Sequence, residues 1–443
     1  MRLAHRQRIT RAALISLICV SILPAKALAA PAPLSAEQSD PRTLGWMQGF
    51  PPAREQRITQ PDSNFFSFPK LRWSVCHMRE LLPTAAIPRA IAHYSALPEA
   101  LNPAIDELQF TPTGADQPIS WRDGLAANYT DGMLVLHRGK VVYENYQGCL
   151  GPQQHHAAMS MTKSVTGLLA EMLIARGQLD ENALVGTQIP ALQGSAFANA
   201  TVRQVMDMTT ALKYSEDYAD PNADIWQYSA AANPLPKPAG YQGPVGYYEY
   251  LMTVPAAGEH GKVFGYKTVN SDVLGWVLAT VSGKPYNQLV SELLWQPLGM
   301  QQDAYVTVDG LGTPFAGGGI SATLRDLGRL GQALLDAALG KPGAIAPELV
   351  HGIQAGGDKA AFAAGFSSLA GGSYRSMWWV FHNPHRAFAA RGVHGQTIYI
   401  DPTAEMVIVR FASHPVASNS ANDATSLPAY QALAEFLLKQ KPD

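Results

Sequence analysis

The 443-residue sequence predicts a mixed α/β fold: an antiparallel sheet completed by segments from both ends of the chain, with a helical insertion in the middle. Three observations predict it. Strand-like runs occur at Gly132–Tyr146 and again between Ser376 and Ala412. Apolar helical runs fill the interval between them. A composition of 47% hydrophobic and 15% charged residues suits one large or two ordinary globular domains with a sizeable core. A net charge of −2 and a pI near 6.6 give no electrostatic case for nucleic acid, so a small-molecule partner is expected.

Taken in order, the chain begins with a basic stretch holding Arg2, Arg6, Arg8 and Arg11, then a largely apolar run Ala12–Ala25, then Ala27-Leu28-Ala29. That order is the pattern of a secretory signal peptide over residues 1–29, and the apolar run is short for a bilayer core of about 30 Å. The expectation is therefore a periplasmic or secreted protein with no stable membrane anchor after cleavage. Cys19 would leave with the signal. Cys76 and Cys149 would remain, either paired in an oxidising compartment or as two separate thiols. Residues 30–105 are Pro-rich but carry Trp46, Phe65, Phe66, Phe68 and Trp73, which predicts an extended wrap over a folded body with one short helix near His77–Leu82. The third segment, 106–443, holds the main folded body.

Met133–His137 and Val141–Tyr146, joined by Arg138-Gly139-Lys140, read as a β-hairpin. Ser160–Arg176 reads as a buried helix stopped by Gly177, and Ala200–Met208 as a short helix. The polar-aromatic loop Tyr214–Pro221 follows, then a helix over Asn222–Ala231 and a Gly/Pro-rich loop over Pro234–Gly246. Phe264–Asn270 leads into an apolar helix Val273–Val281 capped by Gly283, and Gly317–Ser321 precedes an amphipathic helix Leu324–Ala338. Strands over Ser376–His382, Thr397–Ile400 and Met406–Ala412, and a helix over Leu427–Lys439, complete the chain.

The chemistry centres on Ser160-Met161-Thr162-Lys163. Residues at i and i+3 share a helix face, so a hydroxyl and an amine can enter one pocket at a helix start, where unpaired N–H groups favour developing negative charge. The alternative is a serine that caps the helix and a solvated lysine. For Lys163 to act as a base near pH 7 its pKa must fall by roughly 3 units from a reference of about 10.4, which burial can supply. Tyr266 can take part in proton transfer only beside cations such as Lys163 or Lys267; otherwise it is a core tyrosine. His394 precedes a strand in a Gly-rich turn, where a histidine is more often a hydrogen-bonded structural group. His155-His156 and His382-Asn383-Pro384-His385 have no carboxylate or thiol at ligand spacing, so no metal is expected. Gly317–Gly319 lacks the Lys and Ser/Thr that hold phosphate, and no Gly-x-Ser-x-Gly elbow occurs. No cofactor is expected.

Ser160-x-x-Lys163, Phe264-Gly265-Tyr266-Lys267-Thr268 before Asn270-x-x-x-Leu274-Gly275, Gly317–Ser321, and Gly392-Val393-His394-Gly395 occur in an order that resembles the serine β-lactamase and penicillin-binding protein superfamily, in its class C and esterase branch. Within it, Glu216-Asp217-Tyr218-x-Asp220-Pro221 and His394-Gly395-Gln396 are most similar to the 6-aminohexanoate-dimer hydrolases, the nylon-oligomer amidases. The resemblance runs from about Gly132 to the C-terminus. It implies a β-lactamase-like α/β (α+β) fold, with an antiparallel sheet flanked by helices plus a mainly helical lobe.

It also implies roles. Ser160 matches the acylated nucleophile, Lys163 its base partner, and Tyr266 the tyrosine that passes the proton to the leaving group. Tyr218 matches a loop tyrosine that hydrogen-bonds the substrate amide. The backbone N–H groups of Ser160 and of Val393, on the last sheet strand, match the oxyanion hole. His394 and Gly317 belong to matched elements expected at the substrate-binding site. Two departures stand out. Thr268 replaces the Asn of the β-lactamase Tyr-x-Asn, and Ala390-Arg391-Gly392 replaces Lys-Thr-Gly, with Arg391 either a substitute cation or part of a surface salt bridge. Both point away from β-lactams and toward a linear amide or ester as the small-molecule substrate. The alternatives are a carboxylesterase of the same fold and a module that is acylated, or binds penicillin, without turnover.

Overall fold

Thirteen strands and the helices between them order this chain, in a computed structural model that describes residues 32–59 and 64–440. The segment expected as signal peptide lies outside the described residues. In chain order the strands are β1 (Thr84–Ile87), β2 (Gln109–Phe110), β3 (Ile119–Ser120), β4 (Thr130–His137), β5 (Lys140–Tyr146), β6 (His156–Ala157), β7 (Ala304–Thr307) and β8 (Ile320–Ala322). They continue as β9 (Ser373–Arg375), β10 (Trp378–Val380), β11 (Phe388–Gly392), β12 (Gln396–Asp401) and β13 (Met406–Ala412). The arrangement is the expected mixed α/β one, with antiparallel sheets and helices. A seven-stranded antiparallel sheet runs β5-β4-β13-β12-β11-β10-β9, a four-stranded sheet runs β1-β7-β8-β6, and β2 pairs with β3.

The large sheet is closed by both ends of the chain. β4 and β5 form the expected hairpin, turning through Arg138 (φ 50°) and Gly139 (φ 79°), the left-handed pair that suits a two-residue hairpin turn. β13 then adds on the other side of β4, with Val407 opposite Leu136 and Val409 opposite Leu134. Every residue of β4 and β13 is buried, because helices cover both faces. The helix Leu324–Ala338 packs on one face through Leu327, Leu330 and Leu334, and Leu433 and Leu437 of the C-terminal helix enter the separate core on the other.

The late part of the chain differs from expectation. Ser376–His382 is not one strand: Ser376 (φ 50°) and Met377 (φ 63°) turn the chain between β9 and β10, which pair with each other. β11 was not foreseen, because Phe-Ala-Ala-Arg-Gly has neither alternation nor β-branched residues; burial between β10 and β12 makes it a strand. The last helix is Ser420–Leu438, longer than expected and with Pro428 inside it.

The segment preceding β2 is knit into the same unit as the rest. It carries two short helices, Leu71–Ser74 and Met78–Leu81, and donates β1 to the smaller sheet. The Arg72 side chain is buried, donating to Asp131 at 3.1 Å and to Ser413 Oγ at 3.1 Å, and Asp131 also meets His156 at 3.3 Å. Cys76 and Cys149 form a disulfide with a Cα–Cα distance of 6.0 Å. The Ala157 amide donates to the Val75 carbonyl at 2.8 Å, so this segment braces the strand that leads to Ser160.

Candidate active site

β6 ends in a sharp turn through Met159 (φ 49°), and Ser160 begins the helix Met161–Ala175. This helix is buried along nearly its whole length and pressed on the β9–β10 turn: a Cβ on Gly167 would lie 1.9 Å from the Ser376 carbonyl oxygen. The Ser164 hydroxyl donates to the Met377 carbonyl at 2.6 Å, and the Trp378 indole donates back to the Ser164 carbonyl at 3.0 Å. The helix start is therefore held rigidly.

Ser160 makes no side-chain capping bond, which removes the reading of it as a helix cap. Instead Lys163 Nζ donates to Ser160 Oγ at 3.0 Å and to the Gly317 carbonyl at 2.6 Å. Lys163 is 1% exposed rather than solvated. Burial pulls its pKa below the ordinary lysine range, and the negative charges of Glu216 and Asp272 oppose that pull. A lysine so placed is a potential base.

Tyr266 lies beside the Ser160 side chain, and its ring is 5.2 Å from Lys163 Nζ. The ring stacks on Trp379 at 5.5 Å. Burial, followed by the Glu216 charge, pushes the phenol pKa well above its usual value, so near pH 7 Tyr266 is a neutral phenol able to donate a proton. Lys267 does not act on it closely, because Lys267 Nζ is tied to the Leu212 carbonyl at 2.5 Å.

β11 ends against the nucleophile turn. A Cβ on Gly392 would lie 2.9 Å from both the Ala158 oxygen and the Ser160 nitrogen, so glycine alone permits this approach. Val393 follows it, not on the last strand as expected but in the turn between β11 and β12. His394 takes the left-handed conformation (φ 64°) and turns its ring away from the cleft: Nδ1 meets the His414 carbonyl at 2.7 Å and the ring edge packs on Phe66. Burial pushes its pKa down to about 4, so near pH 7 it is a neutral group held by that hydrogen bond and packing. Gly317 likewise serves the lysine, its carbonyl holding Nζ and its amide donating to Asp272 at 3.0 Å.

Beside Tyr266 opens a cleft of about 560 Å³ lined by Tyr218, Phe366, Trp379, Arg391, Val393 and Asp423, among others. Tyr218 donates to Glu216 at 2.7 Å and packs edge-on to Trp226. Glu216 also accepts from the amide and hydroxyl of Thr268, which ties the 214–221 loop to the segment carrying Tyr266. Arg391 is paired with Asp423, a contact buried on the arginine side, and lies over the Trp379 ring. It is neither a free cation nor part of a surface pair.

The structure brings Ser160, Lys163 and Tyr266 together, and Tyr218 and Val393 line the cleft beside Tyr266. Sequence reasoning did not single out their neighbours Glu216, Asp272 and Gly392, whose only signal was their place in the matched elements, or Trp379, which lies in none of them. A second cleft of about 450 Å³, lined by His351, His382 and Arg386, shares no residue with the first. Among the described residues no group of three or more His, Cys, Asp or Glu side chains is placed to hold a metal.

The sequence profile of the Beta-lactamase family matches residues 122–431. The chain is 34% identical over 354 residues to the 6-aminohexanoate-dimer hydrolase of Paenarthrobacter ureafaciens, a match covering 78% of this chain and 86% of that protein. A solved structure from Bacillus anthracis, provisionally named a 6-aminohexanoate-dimer hydrolase, superposes with a TM-score of 0.78 at 30% identity, over 86% of this chain and 97% of that one. EstCE1, a hydrolase with promiscuous acyltransferase activity, shares the fold with a TM-score of 0.55 at 17% identity, over 71% of this chain and 96% of that one.

Proposed function

The chain belongs to the Beta-lactamase family and is a serine hydrolase, and from that premise we propose that it cleaves linear amide bonds, and esters, through an acyl-enzyme on Ser160. The observation that carries this reading is the buried Lys163 amine 3.0 Å from Ser160 Oγ. In the first step Ser160 Oγ attacks the carbonyl carbon as its proton passes to Lys163. The N–H groups of Ser160 and Val393 hold the oxyanion, at a helix start where positive charge is already concentrated. Tyr266 donates its proton to the leaving amine and is reprotonated from Lys163. Water then attacks the acyl-enzyme by the same path and releases the acid.

An amide leaving group needs a proton more than an aryl alcohol does, and the neutral Tyr266 phenol beside Ser160 supports amide cleavage. Tyr218, on the wall of the same cleft, is the residue we assign to the substrate amide. Thr268 is occupied by Glu216 and Arg391 by Asp423, so neither offers a β-lactam its usual partners. We further propose export after removal of residues 1–29, with 30–105 as the wrap and 106–443 as the hydrolase body. The Cys76–Cys149 disulfide supports an oxidising compartment.

The test is turnover of a p-nitrophenyl ester and a short linear amide. Ser160→Ala is expected to lower both by about 10³-fold or more with an unchanged melting temperature. Mass spectrometry of the quenched wild-type reaction is expected to find the acyl group on the peptide containing Ser160. Undiminished turnover in Ser160→Ala would sink the reading.

A further inference from the structure

Behind Lys163 lies a carboxylate that none of these steps uses. Asp272 sits in the first turn of the helix Val269–Ser282 and is 2% exposed. One of its oxygens accepts the Gly317 amide at 3.0 Å and the other accepts the Tyr228 hydroxyl at 2.8 Å. Gly317 in turn presents its carbonyl to Lys163 Nζ at 2.6 Å. There is no slack in this chain of contacts: a Cβ on Gly317 would lie 2.8 Å from Asp272 Oδ2 and 2.6 Å from Thr268 Cγ2.

A carboxylate buried to this depth is destabilising unless donors and a counter-charge surround it. Asp272 has the Gly317 and Tyr228 donors, and Lys163 supplies the opposite charge. The other titratable groups facing the pair are Glu216 and Tyr214 from the 214–221 loop, Tyr266, and Tyr228, Tyr247, Tyr248 and Tyr286 from three neighbouring helices. Burial holds these phenols in the neutral form, so Glu216 is the second carboxylate acting on the lysine.

We infer that Asp272 is a positioning residue, holding the Gly317 carbonyl against the Lys163 amine and supplying the negative charge that decides when Lys163 is free to act as a base. The inference rests on the reading of Lys163 as the base for Ser160. Burial supports it from both sides, pushing Asp272 up and Lys163 down so that each partner's proton depends on the other.

The experiment is the pH profile of kcat/KM for p-nitrophenyl acetate, which reports groups of the free enzyme. Removing the charge in Asp272→Asn makes the Lys163 ammonium easier to deprotonate, so the acid limb is expected to move to lower pH by about half a unit or more. Tyr228→Phe leaves the carboxylate with one donor fewer and readier to take a proton, so a smaller movement in the same direction is expected. Where Asp272→Asn gives no cooperative melt, Tyr228→Phe decides alone. An acid limb that stays at the wild-type pH, even with a lowered plateau, overturns the inference, because loss of packing alone lowers the rate without moving the limb. If wild type still carries the acyl group on Ser160, only this inference fails. If the adduct is missing, the reading of the site fails with it.

Discussion

The buried floor of the site, around Ser160, and the wall of the adjoining cleft are built on opposite principles. On the floor, Ser160, Lys163, Thr268 and Asp272 are all buried, on helices locked by the core or at their starts. On the wall, Tyr218 is 37% exposed and sits in a loop folded by its own short-range turns, Ala219 N to Asp217 and Asn222 N to Asp220, both at 2.9 Å. Glu216 joins the two, accepting from the Thr268 amide and hydroxyl. Groups that exchange protons need fixed distances, which buried helices provide; groups that meet varied substrates can sit on a loop.

This contrast can be broken in measurable ways. The largest effect is expected at the floor. Gly392→Ala places a methyl 2.9 Å from the Ser160 nitrogen and forces β11 away from the nucleophile turn. Turnover is expected to fall by about 10²-fold or more, as it does when an oxyanion donor is lost or misplaced. A variant within twofold of wild type would mean that this strand does not set the geometry.

His394, behind the floor, is expected to affect stability and not rate. Its folded pKa is pushed down to about 4 from an ordinary 6.5, so between those values the unfolded chain binds the proton and the folded chain does not. Stability is therefore complete above about pH 6.5 and is lost as pH falls toward 4, by about 2 kcal/mol at pH 5 from this residue. His394→Asn tolerates the left-handed backbone and cannot titrate, so its melting temperature is expected to depend less on pH between 4.5 and 7. An identical slope in the two proteins would remove His394 from the account.

The wall is expected to show the smallest effect, and the most selective. Tyr218→Phe removes one hydroxyl and should lower amide turnover by about tenfold, a loss near 1.4 kcal/mol, while p-nitrophenyl ester turnover stays within about twofold. Equal losses on both substrates would make Tyr218 a general packing residue. A chromogenic cephalosporin is expected to be a poor substrate of wild type, since Thr268 and Arg391 are already engaged.

Local patterns determined a good deal. The Arg138-Gly139 turn between two apolar runs makes the β4–β5 hairpin, Leu324–Ala338 shows its helix by apolar spacing, and Ser160 and Lys163 share a face because three residues is nearly one helical turn. Only the tertiary structure decided the rest. β11 is a strand because its neighbours pair with it, and the β9–β10 turn is made by two non-glycine residues in a conformation no propensity favours. Lys163 is a potential base, and not a solvated cation, because Tyr266, Gly317 and Asp272, far from it along the chain, converge to bury and bind it. A sequence states which groups are available and how neighbours along the chain are spaced; the desolvation and long-range contacts that shift a proton exist only once the core has formed.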